Sequence, residues 1–562
     1  MEAKAAYNEW LRALGDDPEA LSQLSALSDD QIERQFSGEI VFGTGGLRAE
    51  LGLGSARMNR HTVARVTAGF AAAILKGDSP KSVAISYDTR HGSAEFAEVS
   101  ARVLAGYGIT AFIAPVPWPT PLLSYAVRHF RLGWGIMITA SHNPPQYNGY
   151  KAYDHRGVQL VPQPAQTVMD AIAAQRMFSA KPMPLAQAQS AGLVRMLPES
   201  MLTDYLGEML PAIPRARLAA QCGADFPMVY NALHGAGANA VPEALRRLGF
   251  SRLQLVGQSA DANFGGANTP NPEERLVYAE ALELAKTSGA RIIMATDPDC
   301  DRLGVMVNHG GQYTLLSGNQ LGALMIDFLT DPDVVGKPAG DTMITTIVSG
   351  DMGEAICRER GVATMRTLTG FKYIGDVAES LPDEGRKFLY GYEESYGCLS
   401  GDLARDKDAV QAACLAAVMA LYYARRSETL IDRLNHITGR HGAFKERLIN
   451  VTLTGDDAQA MTERAMAKLR EGINVPGMRL IATDDYLTSL HTDLLTGDIS
   501  PLTLPREDVL KLWLEGGNWV AARPSGTEPK LKFYMAARGR TDAEAEATLD
   551  VLNAAIDGVI KG

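Results

Sequence analysis

The sequence predicts an α/β protein that is divided into several domains, and three observations lead to this prediction. From residue 62 onward, segments with helical periodicity alternate with short β-branched segments, which is typical of parallel α/β structure. A chain of 562 residues is too long for one hydrophobic core, so we expect about three to five domains. Its 46% hydrophobic and 21% charged residues are ordinary values for a globular protein.

Charge and composition narrow the classes of partner and compartment. The net charge of −11 argues against a nucleic-acid partner, which requires a basic surface. No run of about 18 apolar residues is present, so we expect no membrane contact. The acidic, amphipathic start of the chain does not resemble a signal peptide. Five scattered cysteines form no C-x-x-C pair, and we therefore expect a cytoplasmic protein.

The first block combines helices with a glycine-rich turn. Helices are predicted over 5–14 and 29–36, where acidic residues mark the helix starts. The turn F-G-T-G-G-L-R can direct backbone N–H groups at an anion, and its last residue, Arg48, can add a bidentate phosphate contact. A hairpin turn explains the same glycines without a ligand. Helix and strand then alternate over 63–75, 82–87, 93–106 and 110–114, and the polar residues 88–91 follow the strand at 82–87.

The next predicted strand, over 134–138, leads into T-A-S-H-N-P-P-Q-Y-N-G-Y-K-A-Y-D at residues 139–154. The two prolines stop both strand and helix, so Ser141 is expected on a rigid turn at the end of a strand. Asn148-Gly149 predicts a second turn, which returns Lys151 towards the serine. A plain Ser/Asn turn is the alternative, but a hydroxyl, an imidazole and an ammonium group together favour Ser141 as a reactive centre.

A second α/β block begins near residue 202 and contains a G-x-G-x-x-A pattern. A strand predicted over 228–233 is followed by H-G-A-G-A-N-A and by a helix predicted over 242–248. The pattern is typical of dinucleotide-binding turns. The following strand, over 253–256, ends in Gly-Gln, whereas a dinucleotide site needs an acidic residue there for a ribose hydroxyl. A tight strand–helix turn that needs the same glycines is the favoured interpretation.

The strand predicted over 291–296 runs directly into D-P-D-C-D-R at residues 297–302. In an extended loop, the alternate carboxylates of Asp297, Asp299 and Asp301 would point the same way and converge on one hard cation. The segment lacks the glycine and the glutamate that a calcium EF-hand loop requires. Three carboxylates suit Mg²⁺ and leave a coordination position for a phosphate oxygen. A solvated acidic turn is the alternative.

The third and fourth blocks add two further polar loops. The third has predicted helices over 320–329, 352–360 and 409–425 and a strand over 342–348, and the fourth has a strand over 446–454 and a helix over 458–472. T-G-F-K ends at Lys372, and G-Y-E-E-S-Y-G presents Glu393 and Ser395 in alternation, as vicinal sugar hydroxyls would need. R-P-S-G-T-E-P-K at 523–530 offers arginine, hydroxyls and glycine backbone to a phosphate dianion. A glycine-flanked strand end and a proline-rich turn are the respective alternatives.

In content and order, T-A-S-H-N-P, D-P-D-C-D-R, G-Y-E-E-S-Y-G and R-P-S-G-T-E-P-K resemble the motifs of the α-D-phosphohexomutases, the phosphoglucomutase/phosphomannomutase family. The resemblance implies an α/β fold of four domains around a central cleft: three related mixed α/β domains and a smaller C-terminal α+β domain. The expected ranges are 1–200, 201–308, 309–440 and 441–562. We expect a monomer or a small homo-oligomer whose partners are small-molecule sugar phosphates.

The implied activity is the interconversion of hexose 1-phosphate and hexose 6-phosphate, with glucose favoured and mannose also accepted. The resemblance implies a phosphoserine enzyme, Mg²⁺ as cofactor, and glucose 1,6-bisphosphate as activator and intermediate. Ser141 would carry the phosphate and, with Asp297, Asp299 and Asp301, bind the metal. The other implied catalytic residues are Arg48, His142, Lys151, Arg302 and Lys372. The implied substrate-binding residues are Thr44, Glu393, Ser395, Arg523, Ser525, Gly526, Thr527 and Lys532.

Two departures from the family pattern leave the sugar open. Ala49 stands where many members have glycine, and Pro145-Gln146 replaces a common glycine pair. A phosphopentomutase or a sugar-bisphosphate synthase of the same family is therefore an alternative. A phosphoserine-type phosphohydrolase is a more distant one, because such enzymes usually carry a two-metal cluster rich in His and Asp, which the sequence does not show.

Overall fold

Four β-sheets, each packed against helices, follow one another along the chain in a computed structural model of the protein. The structure describes residues 2–43, 45–452, 458–524 and 530–561. The first three sheets mix parallel and antiparallel pairs, and the fourth is antiparallel throughout. The predicted α/β class, with three mixed α/β units and a β-rich C-terminal unit, is confirmed.

The first unit holds a six-stranded sheet of order β1-β5-β4-β2-β3-β6. Its strands are β1 Leu47–Glu50, β2 Ser82–Tyr87, β3 Thr110–Ile113, β4 Trp134–Ile138, β5 Tyr147–Tyr153 and β6 Val194–Met196. Its helices are α1 Glu2–Ala13, α2 Pro18–Ser25, α3 Asp29–Phe36, α4 Arg60–Lys76, α5 Ser93–Gly106, α6 Thr120–His129, α7 Pro162–Ala173 and α8 Leu185–Ser190. β4, β2, β3 and β6 run parallel, whereas β1 and β5 are antiparallel to their neighbours.

The second unit holds a five-stranded sheet of order β11-β10-β9-β7-β8. Its strands are β7 Met228–Asn231, β8 Leu253–Val256, β9 Ile292–Thr296, β10 Leu303–His309 and β11 Gln312–Leu315. Its helices are α9 Met201–Ala212, α10 Ala216–Cys222, α11 Gly237–Leu248 and α12 Ala279–Ser288. This sheet continues to Leu315, beyond the boundary expected at residue 308.

The third unit holds a four-stranded sheet of order β13-β12-β14-β15. Its strands are β12 Thr342–Thr346, β13 Ala363–Thr367, β14 Phe388–Tyr392 and β15 Cys398–Ser400. Its helices are α13 Gly318–Thr330, α14 Pro332–Val335, α15 Met352–Arg360, α16 Phe371–Ser380, α17 Ala409–Ala424 and α18 Leu430–His441. β13, β12 and β14 run parallel, and β15 pairs antiparallel with β14.

The fourth unit holds a seven-stranded antiparallel sheet of order β16-β22-β21-β20-β17-β18-β19. Its strands are β16 Ala443–Thr452, β17 Leu480–Asp485, β18 Leu490–Asp493, β19 Ile499–Pro501, β20 Leu510–Leu514, β21 Asn518–Pro524 and β22 Lys530–Gly539. Its helices are α19 Ala458–Arg470 and α20 Asp542–Lys561. Across the described part of the chain, no helix combines the length and apolar character needed to cross a membrane.

Helix α17 packs against elements of both the second and the third unit. Its sequence is apolar on every face, which is typical of a core helix, and each residue from Ala409 to Tyr423 is buried. A single hydrophobic cluster contains residues from the first three units, among them Leu122, Leu245, Met294 and Val418. The loops at the ends of the three sheets are therefore supported by a shared core.

Two predictions about local structure are wrong. Asn148-Gly149 is not a turn, because both residues lie inside β5, which pairs with β1 and β4. Glycine is required there because a Cβ atom would lie 2.4 Å from the carbonyl oxygen of Thr139 and 2.6 Å from that of Leu47. The second error is the start of α11, which begins at Gly237 and includes Pro242.

Candidate active site

The site is built where the serine segment after β4 meets the aspartate segment after β9. Ser141 is buried, and its φ of 52° lies in the left-handed region. Its N–H donates to Thr139 Oγ1 at 2.8 Å, and its Oγ donates to Asp297 Oδ2 at 2.8 Å. The Oγ also lies 3.3 Å from His142 Nδ1. The structure thus places the predicted nucleophile directly on the predicted metal loop.

Arg90 holds the serine segment in this position. Its Nη2 donates to the carbonyl oxygens of Ser141 and Asn143, each at 2.5 Å, and its Nη1 donates to those of Pro144 at 2.8 Å and Tyr147 at 3.0 Å. The guanidinium is itself fixed by an ion pair with the buried Asp88, whose Oδ2 lies 3.2 Å from Nε. The sequence placed these polar residues at the end of β2, but gave them no role.

The three aspartates converge as predicted, but the segment is a tight turn and not an extended loop. Cys300 has a φ of 52°, and its N–H donates to the carbonyl oxygen of Asp297 at 2.9 Å. The carboxylates of Asp297, Asp299 and Asp301 are buried, and one oxygen from each lies within 4.8 Å of the others. The turn therefore achieves the convergence that alternation along an extended chain was expected to provide.

The unused oxygens of this trio fit a cation. Asp299 Oδ2 accepts hydrogen bonds from Thr120 Oγ1 at 3.0 Å and from Lys151 Nζ at 2.7 Å. In contrast, Asp299 Oδ1 and Asp301 Oδ1 are buried and find no hydrogen-bond partner among the described residues. Burial and the neighbouring carboxylates raise the pKa of Asp297 well above its usual value, and a bound cation would favour its charged form. Hard oxygen ligands of this kind suit a divalent cation such as Mg²⁺.

Two lysines contact the trio and offset part of its negative charge. Lys151, on β5, also lies 3.3 Å from Asp301 Oδ2, and Lys407 Nζ lies 3.1 Å from the same oxygen. Burial alone would raise the pKa of Asp301, but these two ammonium groups and Arg302 together outweigh it and hold that pKa below its usual value. Lys407 was missed in the sequence. A signal was present, since the charged run R-D-K-D immediately precedes the fully buried helix α17.

A third segment, after β14, closes on the metal loop. The N–H of Leu303 donates to the carbonyl oxygen of Tyr396 at 3.0 Å, which ties the two segments together. Arg302 pairs with Glu273 at 2.9 Å. Glu393 is buried, its Oε1 accepts the N–H of Gly370 at 2.9 Å, and burial raises its pKa. Glu393 and Ser395 stand on a turn and not on a strand, so strict alternation does not aim their side chains.

Arg48, on β1, is exposed and donates to Asn143 Oδ1 at 3.0 Å, which places it beside the serine segment. His142 is partly exposed, and burial together with Arg302 and Arg48 lowers its pKa well below the usual value, so it is neutral near pH 7. Three other predicted residues, Lys372, Arg523 and Lys532, form a second cluster; Lys372 is the second residue of α16, and burial lowers its pKa to about 8.

In the same cluster, Arg523 is the penultimate residue of β21, donates to Glu507 Oε1 at 2.8 Å, and lies opposite Lys532 in the β21–β22 register. Four residues predicted to bind substrate lie outside the described part of the chain, namely Thr44, Ser525, Gly526 and Thr527.

The G-x-G-x-x-A segment packs against the turn that carries the three aspartates. A Cβ atom on Gly235 would lie 2.5 Å from Pro298 Cα, and one on Gly237 would lie 2.8 Å from Cys300 Sγ. The N–H of Ala236 donates to the carbonyl oxygen of Pro298 at 2.7 Å. These glycines allow the start of α11 to pack directly against the aspartate turn, which supports the favoured interpretation.

Comparisons with known proteins agree along most of the chain. Three family descriptions match: phosphoglucomutase/phosphomannomutase α/β/α domain I over residues 39–178, domain II over 204–311 and domain III over 317–437. The chain is 34% identical over 539 residues to a phosphoglucomutase of Staphylococcus epidermidis, covering 94% of this chain and 96% of the relative. It is 35% identical over 515 residues to a phosphoglucomutase of Staphylococcus haemolyticus, covering 90% and 91%.

Solved structures share the fold at lower identity. The open form of parafusin, a phosphoglucomutase from Paramecium, superposes with a TM-score of 0.73 at 16% identity, covering 94% of this chain and 96% of that one. A phosphoglucomutase/phosphomannomutase family protein from Burkholderia thailandensis gives a TM-score of 0.67 at 17% identity, covering 93% and 98%.

Proposed function

The chain belongs to the α-D-phosphohexomutase family and is a hexose phosphate mutase, and we propose that Ser141 carries the phosphate that it transfers. One observation supports this assignment above the others: Ser141 Oγ lies 2.8 Å from Asp297 Oδ2, beside two buried carboxylate oxygens that accept no hydrogen bond from the described residues. A phosphoserine at this position would lie next to the cation site and within reach of the lysines that surround it.

The proposed reaction has two transfers. A hydroxyl oxygen of the bound hexose monophosphate attacks the phosphorus, the bond between phosphorus and Ser141 Oγ breaks, and the hydroxyl proton passes to a base. The product is a hexose 1,6-bisphosphate. After it turns end for end, Ser141 Oγ attacks the other phosphorus and loses its proton, and the bond between that phosphorus and the sugar oxygen breaks. The sugar oxygen takes up a proton, the isomeric hexose monophosphate is released, and the enzyme regains its phosphoserine. Glucose 1,6-bisphosphate can therefore restore an enzyme that has lost its phosphate.

The surrounding residues suit the charges in this reaction. We propose that Asp297, Asp299 and Asp301 bind Mg²⁺, which would offset negative charge on the transferring phosphate. Lys151 and Lys407 bind the Oδ2 atoms of Asp299 and Asp301, so the Oδ1 atoms, which accept no hydrogen bond from the described residues, are left for the ion. Lys372, with its pKa lowered to about 8, has an appreciable neutral fraction near that pH and is suited to accept the hydroxyl proton.

Glucose is the favoured sugar, with mannose accepted. The relatives at 34% and 35% identity are phosphoglucomutases, which supports glucose. Turning a hexose end for end about an axis near C3–C4 exchanges O3 with O4, while O2 moves to a new place. A segment that serves both orientations therefore reads O3 and O4, and we assign this role to Glu393 and Ser395. Glucose and mannose differ only at C2, which is not part of this recognition, so both sugars fit.

Coupled turnover assays test this proposal. Glucose, mannose and ribose 1-phosphates are compared with and without glucose 1,6-bisphosphate, with Ser141→Ala as the inactive control. We expect glucose 1-phosphate to react fastest, mannose 1-phosphate measurably, and the bisphosphate to stimulate both. Fastest turnover of ribose 1-phosphate would instead identify a phosphopentomutase.

A further inference from the structure

The arginine that we propose binds phosphate is already paired with a carboxylate, and that carboxylate lies outside the four sequence motifs. Glu507 lies in the segment between β19 and β20, and its Oε1 accepts a hydrogen bond from Arg523 Nη2 at 2.8 Å. Both side chains are 27% exposed. Within the described residues, Glu507 Oε2 and Arg523 Nε are buried and have no hydrogen-bond partner. The two side chains are therefore joined by one hydrogen bond, and each has a polar atom that no described residue engages.

The third unit contributes to the same cluster. Lys372 and Tyr373, at the start of α16, sense both charges: burial is the largest influence on their pKa values, Glu507 raises both, and Arg523 lowers both. Glu507 thus stands near the arginine of the fourth unit and the lysine of the third. A phosphate that reaches Arg523 meets a guanidinium already paired with a carboxylate.

We propose that Glu507 is a counter-ion that competes with the sugar phosphate for Arg523 and so limits how tightly the non-reacting phosphate is held. This inference rests on the proposed function, in which Arg523 binds that phosphate. A carboxylate next to a phosphate dianion repels it, and the hydrogen bond to Glu507 occupies one of the donors that the phosphate would use.

A limited affinity for the non-reacting phosphate suits a mutase. The bisphosphate has to leave Arg523, turn and bind again between the two transfers, so each extra factor of ground-state affinity slows its departure. Interactions that hold substrate and transition state equally tightly lower KM without raising kcat. Glu507 acts through Arg523 and is therefore a positioning residue.

The sign of the effect separates this role from a structural one. If Glu507 only held Arg523 in the correct rotamer, its removal would weaken phosphate binding and raise KM. As a competing counter-ion, its removal frees the guanidinium and lowers KM. The two roles make opposite predictions for the same substitution.

Glu507→Gln keeps the side-chain shape and removes the charge, and Glu507→Ser, as a second variant, replaces everything beyond Cβ with a hydroxyl. The matched control is Asp508→Asn, because Asp508 accepts a hydrogen bond from Arg470 Nη2 at 2.6 Å, outside this cluster. In the full chain, we expect both Glu507 variants to lower KM for glucose 1-phosphate, and the half-saturating concentration of glucose 1,6-bisphosphate, by about 3- to 10-fold without a gain in kcat. Asp508→Asn should change neither constant.

Arg523→Ala, measured alongside, distinguishes the two levels of the argument. It is expected to raise both constants. If it does so while the Glu507 variants leave the constants unchanged or raise them, the counter-ion proposal is overturned and the proposed function stands. If Arg523→Ala changes neither constant, the role of Arg523 is overturned, and the inference with it.

Discussion

Replacing Arg90 with lysine should reduce turnover far more than it disturbs the fold. Arg90 donates to four carbonyl oxygens of the serine segment from two terminal nitrogens, at 2.5 to 3.0 Å. A lysine keeps the charge beside Asp88 but presents one nitrogen, which cannot reach both pairs of carbonyls at once. If two of these charge-assisted hydrogen bonds are lost at about 1.5 kcal/mol each, the native conformation of the serine segment is destabilised by about 3 kcal/mol.

The consequence for catalysis follows from the position of Ser141. Its left-handed φ of 52° is maintained by the segment that Arg90 holds, so a relaxed segment moves the Oγ away from Asp297. A displacement of about 1 Å at a reacting group costs roughly 10²-fold in rate, and we expect kcat of Arg90→Lys to fall by about that factor.

A coupled assay that detects glucose 6-phosphate measures this loss, and urea unfolding follows stability. The matched control is Arg102→Lys, because Arg102 also donates to a backbone carbonyl, that of Met183 at 3.1 Å, but lies on α5 away from the site. If kcat of Arg90→Lys stays within about threefold of the wild type, the serine segment does not depend on Arg90 and the reasoning is refuted.

Three further results are expected. Removal of divalent metal with EDTA should abolish turnover, and Mg²⁺ should restore it, because buried carboxylates need a cation. For the same reason, Asp299→Asn should lower turnover by more than about 10²-fold with a much smaller change in the unfolding midpoint. Full activity after EDTA would mean that the trio is not a metal site. Glu393→Ala should cost glucose 1-phosphate and mannose 1-phosphate a similar factor, on the order of 10²-fold, because a charged hydrogen bond is lost from a buried site; loss of glucose turnover alone would show that this segment reads C2. Burial lowers the pKa of Lys372 to about 8, so its neutral fraction grows as pH rises towards that value. We therefore expect kcat/KM to rise with pH and to show an inflection near pH 8, which Lys372→Met should remove. An unchanged pH profile in that variant would mean that another group accepts the proton.

The sequence predicted the elements whose signals are local. The strands at Ser82–Tyr87 and Trp134–Ile138 are short apolar segments bounded by turn residues, and α5 is amphipathic, so their limits agree with the structure. The segments that carry Ser141 and the three aspartates were found because each follows such a strand. Local pattern was sufficient for these features.

What the sequence could not provide depends on contacts between distant residues. Asn148-Gly149 usually indicates a turn, but two neighbouring strands convert it into the interior of β5. Arg90 and Lys407 reach the site from segments that are remote in the chain from Ser141 and Asp301. The left-handed turn at Cys300 is stabilised by its packing against α11, which no local propensity encodes.

The central claim is that Ser141 carries the phosphate, and its most direct test is site-localised mass spectrometry of the full chain. After incubation with isotopically labelled glucose 1,6-bisphosphate, we predict a single labelled phosphate, on the peptide that contains Ser141, and its loss on chase with unlabelled glucose 1-phosphate. Ser141→Ala should acquire no label and lose nearly all turnover. Label on a different residue, or wild-type turnover in Ser141→Ala, would contradict the account.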